Sequence, residues 1–379
     1  MLKVTVVGAG LAGLMAGWRL AEAGAEVAIY ERRTVASGSS SLAAGHVPQR
    51  SYSRSIIDVL HRTREIAAGF ERYQVVGGLL LSADARNGEV FRSHVSILES
   101  WGVTNSQALE GLEVERRWPG VVGSEVGGAL YCSEDGMIRS LGLTVSLADR
   151  ARRAGAVIFE GCDVERLATK GARVVGVQVA GDLQRSDIVV LAAGGWSSGL
   201  LGDLRVRLPL RRFTLSVASL VGAPKGLPFI SQVDDRWYLI ERAPGNSLLG
   251  LPPASDEDLQ PPSAERVAGF LGLLRRRLRG FDAARHAGGW TGLLCGTPDG
   301  RPLLGPHPDV KGLHLATGFA GGGVQWVAAG EAVAEMALEL TPTLDIPDFL
   351  AARYAAWDGR DFEFDERGPY FYDEAVPVS

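Results

Sequence analysis

The chain opens on a β-branched apolar run, "VTVV" (residues 4–7), followed at once by "GAGLAG". Leu14, Trp18 and Ala21 then recur on one helical face, with Arg19 and Glu22 outside it. A run of strand character giving way to a period of 3.6 across a glycine-rich turn predicts strand, turn and helix. Gly24 ends the helix, and a second strand, "AEVAIYE", closes a β-α-β unit on Glu31. Residues 96–119 read as a helical stretch that breaks at Pro119, and residues 134–155 as an amphipathic helix ending at Gly155. Residues 156–181 alternate like hairpin strands, and "SDIVVLAAGGWSSGLL" (186–201) is a buried strand running into small residues. Between about 205 and 289 come further strand-like runs, a Pro-rich polar break at "PPASDEDLQPPS" and an arginine-studded helix. The last strand, "GLHLATG", leads into glycines and an Ala-rich helix expected to start near Val324.

Composition narrows the function classes. With 379 residues, 46% hydrophobic and 22% charged, the chain can bury one large or two medium cores. A net charge of −5 gives no basic footprint for nucleic acid or an anionic membrane, and a small, roughly neutral ligand fits better. Cys132, Cys162 and Cys295 are odd in number and lack metal-ligand spacing, so reduced thiols and no metal are expected. The amino terminus enters a strand directly and no apolar stretch of spanning length occurs, which predicts a soluble, cytoplasmic protein without a membrane role.

Gly8, Gly10 and Gly13 form G-x-G-x-x-G between strand and helix, with Glu31 placed 23 positions after Gly8. The first glycine allows a tight turn, the second lets a pyrophosphate reach the backbone, and the third lets helix pack on strand. The helix N-terminus offers N–H groups and a positive dipole end. Glu31 would accept hydrogen bonds from a ribose diol and repel a 2′-phosphate, despite Arg32 and Arg33 beside it. The motif alone leaves NAD and FAD open. The expected architecture is α/β: a Rossmann-like nucleotide domain built from residues 1–75, 136–204 and 290–345, an inserted α+β substrate domain (76–135 and 205–289), and a tail from 346 to 379 with no assignable chemistry.

Four stretches in order carry a resemblance: the dinucleotide motif with Glu31, "GSSSLAAGH" (38–46), "DIVVLAAGGWS" (187–197) and "TPDGRPLLGP…GLHLATGFAGGGVQW" (297–326). Over about residues 1–340 the chain resembles the D-amino-acid oxidase, glycine oxidase and sarcosine oxidase group of FAD-dependent amine oxidoreductases. The resemblance implies FAD as cofactor and hydride transfer to flavin N5 from a C–H beside an amine nitrogen, giving an imine that water hydrolyses. It implies that Ala44 and Gly45 lie against the flavin, and Ala193 and Gly194 by the adenosine half. Leu11, Ala12, Arg32, Ser39, Ser40, Val164 and Trp196 join the expected cofactor contacts. Gly318, Gly321, Gly322 and Gly323, with Val324 and Gln325, would bring bare amides and a helix N-terminus to the pyrimidine edge, where reduced flavin is anionic.

The departures from that pattern shape the substrate expectations. Leu294 stands where relatives carry a carboxylate-binding arginine, Gly321 and Gln325 where others carry basic residues, and Leu248 where sarcosine oxidases hold an oxygen-activating lysine. Gly292 replaces the cysteine of covalent flavin attachment, so the FAD is expected to be non-covalent. His46, Tyr238 and Arg50 are the expected substrate-side residues, with Arg50 receiving a carboxylate of a bulkier or N-substituted amine; Trp326 is a candidate aromatic wall. Oxygen or another electron acceptor completes the cycle. Two other readings remain: a flavoprotein acting with a protein partner, and an FAD hydroxylase or reductase, which should carry a "GD" element where this chain has "TGFAGGG".

Overall fold

The computed structural model describes residues 1–364 apart from residues 52, 71, 72, 203, 205, 255–257, 322 and 358. Among them lies a six-stranded sheet, ordered edge to edge Leu303–Pro306, Leu313–Thr317, Ile188–Leu191, Lys3–Val7, Glu26–Glu31 and Val157–Glu160. The last five strands run parallel; Leu303–Pro306 is antiparallel to its neighbour. Parallel strands need crossovers and are covered on both faces, which accounts for the continuous burial of "VTVV". Helix Leu11–Glu22 is buried along most of its length among helices Ser140–Arg153 and Val327–Ala337.

A second sheet has eight strands: Arg285–Gly296, Arg211–Val221, Asn246–Gly250, Tyr238–Ala243, Phe229–Gln232, Gly78–Ser82, Gly128–Cys132 and Ser106–Leu109. Its outer face packs on helix Ala264–Arg277 through Trp237, Leu239, Leu249, Val267, Leu271 and Leu274. Strand Arg285–Gly296 keeps its place in this sheet through Gly296, so residue 290 lies within it. Two small three-stranded sheets complete the fold, one of Val164–Lys170, Arg173–Val179 and Asp182–Arg185, the other of His46–Val47, Gly136–Met137 and Gln74–Val75.

Two expected helices differ in extent. The stretch 96–119 is divided: one helix covers Arg86–Ser100, Gly102 turns at φ +83°, Ser106–Leu109 joins the large sheet as its edge, and a short helix Gly111–Arg117 follows. The helix expected over 134–155 covers Ser140–Arg153 only. A turn at residues 133–134 and the short strand Gly136–Met137 precede it instead, and a Cβ at Gly136 would meet the Tyr73 hydroxyl at 2.1 Å. The Ala-rich helix begins at Val327, after a 3₁₀ turn at Gly323–Trp326.

Candidate active site

Two glycines of the dinucleotide turn, Gly8 and Gly13, have a steric reason that the backbone itself supplies. Gly8 holds φ +105°, and a Cβ there would lie 2.5 Å from the Ala192 carbonyl oxygen; at Gly13 it would lie 2.1 Å from the Gly8 carbonyl oxygen. Strand and helix therefore touch backbone to backbone. Helix Leu11–Glu22 has its N-cap at Gly10, with no side-chain cap and no acidic residue in its first turn, so no charge of its own offsets its positive end. The Leu11 N–H donates to Ser40 Oγ at 3.1 Å. Glu31 accepts from the Ala9 and Arg33 N–H groups, each at 3.0 Å, which fixes its carboxylate beside the turn. The Arg32 guanidinium lies 3.8 Å from the centroid of the Trp196 ring, well within cation–π range.

These groups border a cavity of about 630 Å³ that continues under the eight-stranded sheet. Among the described residues its lining includes Gly8, Gly10, Leu11, Ala12, Gly13, Glu31, Arg32, Ser39, Ser40, Ala44, Gly45, Val164, Ala193, Gly194, Trp196, Gly321, Gly323 and Gln325, together with His46, Arg50, Tyr238 and Trp326. Gly318 and Val324 do not line it. Gly318 serves its own turn, with φ +79° and a neighbouring Leu210 that a Cβ would approach to 2.9 Å, and Val324 is buried in the core. Gly322 lies outside the described residues. The cradle of backbone amides, the positive helix end facing a cavity and the fixed carboxylate of Glu31 fit the pyrophosphate and ribose of a dinucleotide.

The sheet contributes one cross-strand row: Trp290, Val217, Gly250, Tyr238, Ser231 and Leu80 pair in turn across six strands, and all but Gly250 line the cavity. Side chains two residues apart on these strands share that face, which adds Leu215, Gly292, Leu294 and Ile240. At Gly250 a Cβ would fall 2.0 Å from the Tyr238 ring, so the phenol lies across the bare backbone of its neighbour. Phe229 stacks on Tyr238 at 6.0 Å between centroids and on His46 at 3.6 Å, making a three-ring wall. Leu248 shares the face, opposite Ile240, but is buried and does not line the cavity; Leu251 does.

Beneath His46 lies a carboxylate that reading the sequence as a helix over 134–155 missed. Asp135 is fully buried: its Oδ2 takes His46 Nε2 at 3.0 Å and pairs with Arg50 Nη1, and its Oδ1 accepts the Gln49 N–H at 2.8 Å. Gly78 makes this possible, because a Cβ there would lie 2.0 Å from Asp135 Oδ2. Burial pushes the Asp135 carboxyl up, but the Arg50 charge and the His46 hydrogen bond outweigh it and hold the group well below the usual carboxylate range. His46 sits below the usual histidine range, first because it is buried, with the Arg50 charge adding to the lowering against the pull of Asp135. Arg50, expected to receive a substrate carboxylate, is a buried cation already paired with the buried Asp135 carboxylate. Burial raises the Tyr238 phenol, so it stays protonated.

Comparison with known proteins agrees with this geometry. Residues 3–336 match the family model described as FAD dependent oxidoreductase. The chain belongs to the FAD dependent oxidoreductase family. It is 25% identical to a glycine oxidase from Geobacillus kaustophilus over 370 residues, covering 93% of this chain and 97% of that protein. It is 29% identical to a glycine oxidase from Pseudomonas aeruginosa over 334 residues, covering 83% and 89%. Among solved structures, an L-proline dehydrogenase from P. horikoshii superposes with a TM-score of 0.86 at 22% identity, covering 94% of this chain and 98% of that one. As a member of this family the protein is an FAD-dependent enzyme, and the dinucleotide cradle is where FAD fits. No helix among the described residues is long and apolar enough to cross a membrane.

Proposed function

We propose that this FAD-dependent oxidoreductase oxidises the C–N bond of an amine, either a secondary or cyclic amine or an N-substituted amino acid bulkier than glycine, to an imine that water hydrolyses. The observation that carries the reading is a single cavity that joins the dinucleotide cradle at Glu31 to the aromatic wall of His46, Phe229 and Tyr238. Bound FAD supplies the acceptor for the two electrons and the hydrogen that leave the carbon beside nitrogen.

The chain's own part is binding and orientation. With Asp135 ionised and His46 neutral, Nε2 carries the proton and donates it to Oδ2, which leaves Nδ1 as an acceptor for an amine N–H. An amine must be neutral to push electrons out of its C–H bond, and an apolar wall of Leu215, Val217, Ile240 and Leu251 favours that form. Leu294, in the position where the resemblance implies an arginine, leaves glycine without a carboxylate fork on that strand. The flavin is held without a covalent bond: Gly292 occupies the attachment position, and the buried Cys295 thiol is raised by burial and faces Thr317 Oγ1 at 3.8 Å.

No lysine lines the cavity among the described residues, so reduced protein should react slowly with oxygen and faster with an artificial dye. Stopped-flow reoxidation in air as fast as that of efficient oxidases would refute this. The reaction itself is tested by anaerobic mixing of the FAD-loaded protein with glycine, N-methylated and cyclic amino acids and their carboxylate-free amines. The visible flavin band should bleach, fastest with the bulkier amines and slowest with glycine; preference for glycine would overturn the substrate assignment.

A further inference from the structure

We propose that Arg236 is the anion receptor on the substrate side of the cavity and takes a carboxylate of the amine, an inference that rests on the amine-oxidation reading above. Arg236 lies in the turn between strands Phe229–Gln232 and Tyr238–Ala243, two positions before Tyr238, lines the cavity, and is half-buried. Among the described residues four arginines line that cavity, and three are committed: Arg32 over Trp196, Arg33 to the Ser37 carbonyl oxygen, and Arg50 to Asp135. Among the described residues Arg236 has no ion-pair, hydrogen-bond or ring partner.

Its nearest carboxylates in sequence are already taken. Asp234 accepts from Ser82 Oγ at 2.9 Å and from the Ala83 N–H at 2.7 Å, and Asp235 pairs with Arg277 at 2.7 Å. The acidic residues lining the cavity, Glu31, Asp163 and Glu165, belong to the dinucleotide side. With the Arg50 charge cancelled by Asp135 and Arg242 donating to the Ala44 carbonyl oxygen at 2.9 Å, Arg236 is a cavity-lining guanidinium with no partner among the described residues. A cation over apolar walls selects an anion by Coulomb attraction and by charge-assisted hydrogen bonds.

The backbone supplies a second, independent observation. Arg236 holds φ +54°, in the left-handed region that non-glycine residues avoid, where glycine would sit without strain. A chain that keeps an arginine at such a position retains a local cost of the kind found at ligand clamps. Arg236 sits in the turn that leads into the Tyr238 strand, so the receptor and the phenol are separate groups on the cavity wall.

The test is to titrate FAD-loaded protein with benzoate and with benzamide, its neutral isostere, following the visible flavin spectrum for wild type, Arg236→Gly and Arg236→Lys. Wild type should prefer benzoate. Arg236→Gly should weaken benzoate about 10- to 100-fold and leave benzamide unchanged, with a Tm equal to or above wild type because the strained turn is relieved. Arg236→Lys should recover part of the benzoate affinity. Equal benzoate affinity in wild type and Arg236→Gly, or no benzoate preference in wild type, would overturn the proposal. A parallel anaerobic arm mixes wild type with proline, pyrrolidine and their N-methyl derivatives. Bleaching by these amines together with benzoate binding indifferent to Arg236 removes the receptor alone. Absence of any bleaching, with benzoate selectivity still dependent on Arg236, removes the reaction and leaves the receptor.

Discussion

The two sides of the cavity are built by different means. On the dinucleotide side, function resides in backbone: Gly8 and Gly13 exclude side chains so that strand and helix touch, and Glu31 is held by the Ala9 and Arg33 amides. On the proposed substrate side, the candidate groups are side chains held by tertiary contact. His46 and Arg50 meet Asp135 from 89 and 85 positions away, and Tyr238 lies over Gly250 of the neighbouring strand. A site made of backbone tolerates almost no substitution at its glycines. A site made of side chains can be retuned one residue at a time.

The sharpest way to break the comparison is Gly13→Val. Because the first added carbon would sit 2.1 Å from a carbonyl oxygen, neither partner can give way. The variant should lose more than about 3 kcal/mol of stability and be recovered without FAD, as a thermal melt and the visible spectrum will report. A wild-type Tm with bound flavin would mean that helix and strand do not meet as described.

Next in size is Asp135→Asn, which leaves the buried Arg50 without its counter-ion and should cost about 3–5 kcal/mol. The pH dependence has a definite sign. Asp135 is depressed in the folded protein, so its contribution is complete above the unfolded value of about 4 and is lost as the pH falls below it. His94 acts in an adjoining window: burial, helped by the Arg50 charge, lowers it to about 3, so the unfolded chain takes up a proton first and stability declines as pH falls from about 6.5 towards 3. Denaturant titrations across that range should give a flatter profile for His94→Gln; an unchanged slope would exclude His94 as its source.

Smaller effects sharpen the contrast on the dinucleotide side. Glu31→Gln keeps the shape but removes a charge-assisted acceptor, and should weaken FAD by about 1.5–3 kcal/mol, measured by fluorescence titration of apoprotein. Arg32→Leu removes only the stacking on Trp196 and should cost about 0.5–1 kcal/mol in the same titration. If Arg32→Leu proved the more damaging, the ribose role of Glu31 would be misassigned.

The same contrast explains which parts of the molecule are legible in the sequence. The β-α-β unit, its glycines and Glu31 are local, and each residue type has one stereochemical use there, so the strands Lys3–Val7 and Glu26–Glu31 and the helix between them follow from the residues alone. Asp135 does not, because "EDGMIRSLG" carries helical spacing, and only the close approach of Gly78 and Arg50 makes its carboxylate a buried counter-ion. Phe229 and Gly250 are hidden for a related reason: which face of a strand meets a cavity depends on pairing register with distant strands. Leu248 and Leu251 show this most directly, since strand pairing and the end of Asn246–Gly250 decide that Leu251 lines the cavity. Arg236 is not singled out by the sequence, because its having no partner among the described residues is a property of the folded chain.

The most direct test of one flavin site shared by both sides is an anaerobic spectrum of the purified protein before and after adding a secondary or cyclic amine, followed by acid precipitation. A visible flavin band that bleaches on amine addition, with free FAD recovered in the supernatant, is the expected result. A colourless protein, a band that no amine bleaches, or flavin that stays with the precipitate would contradict it.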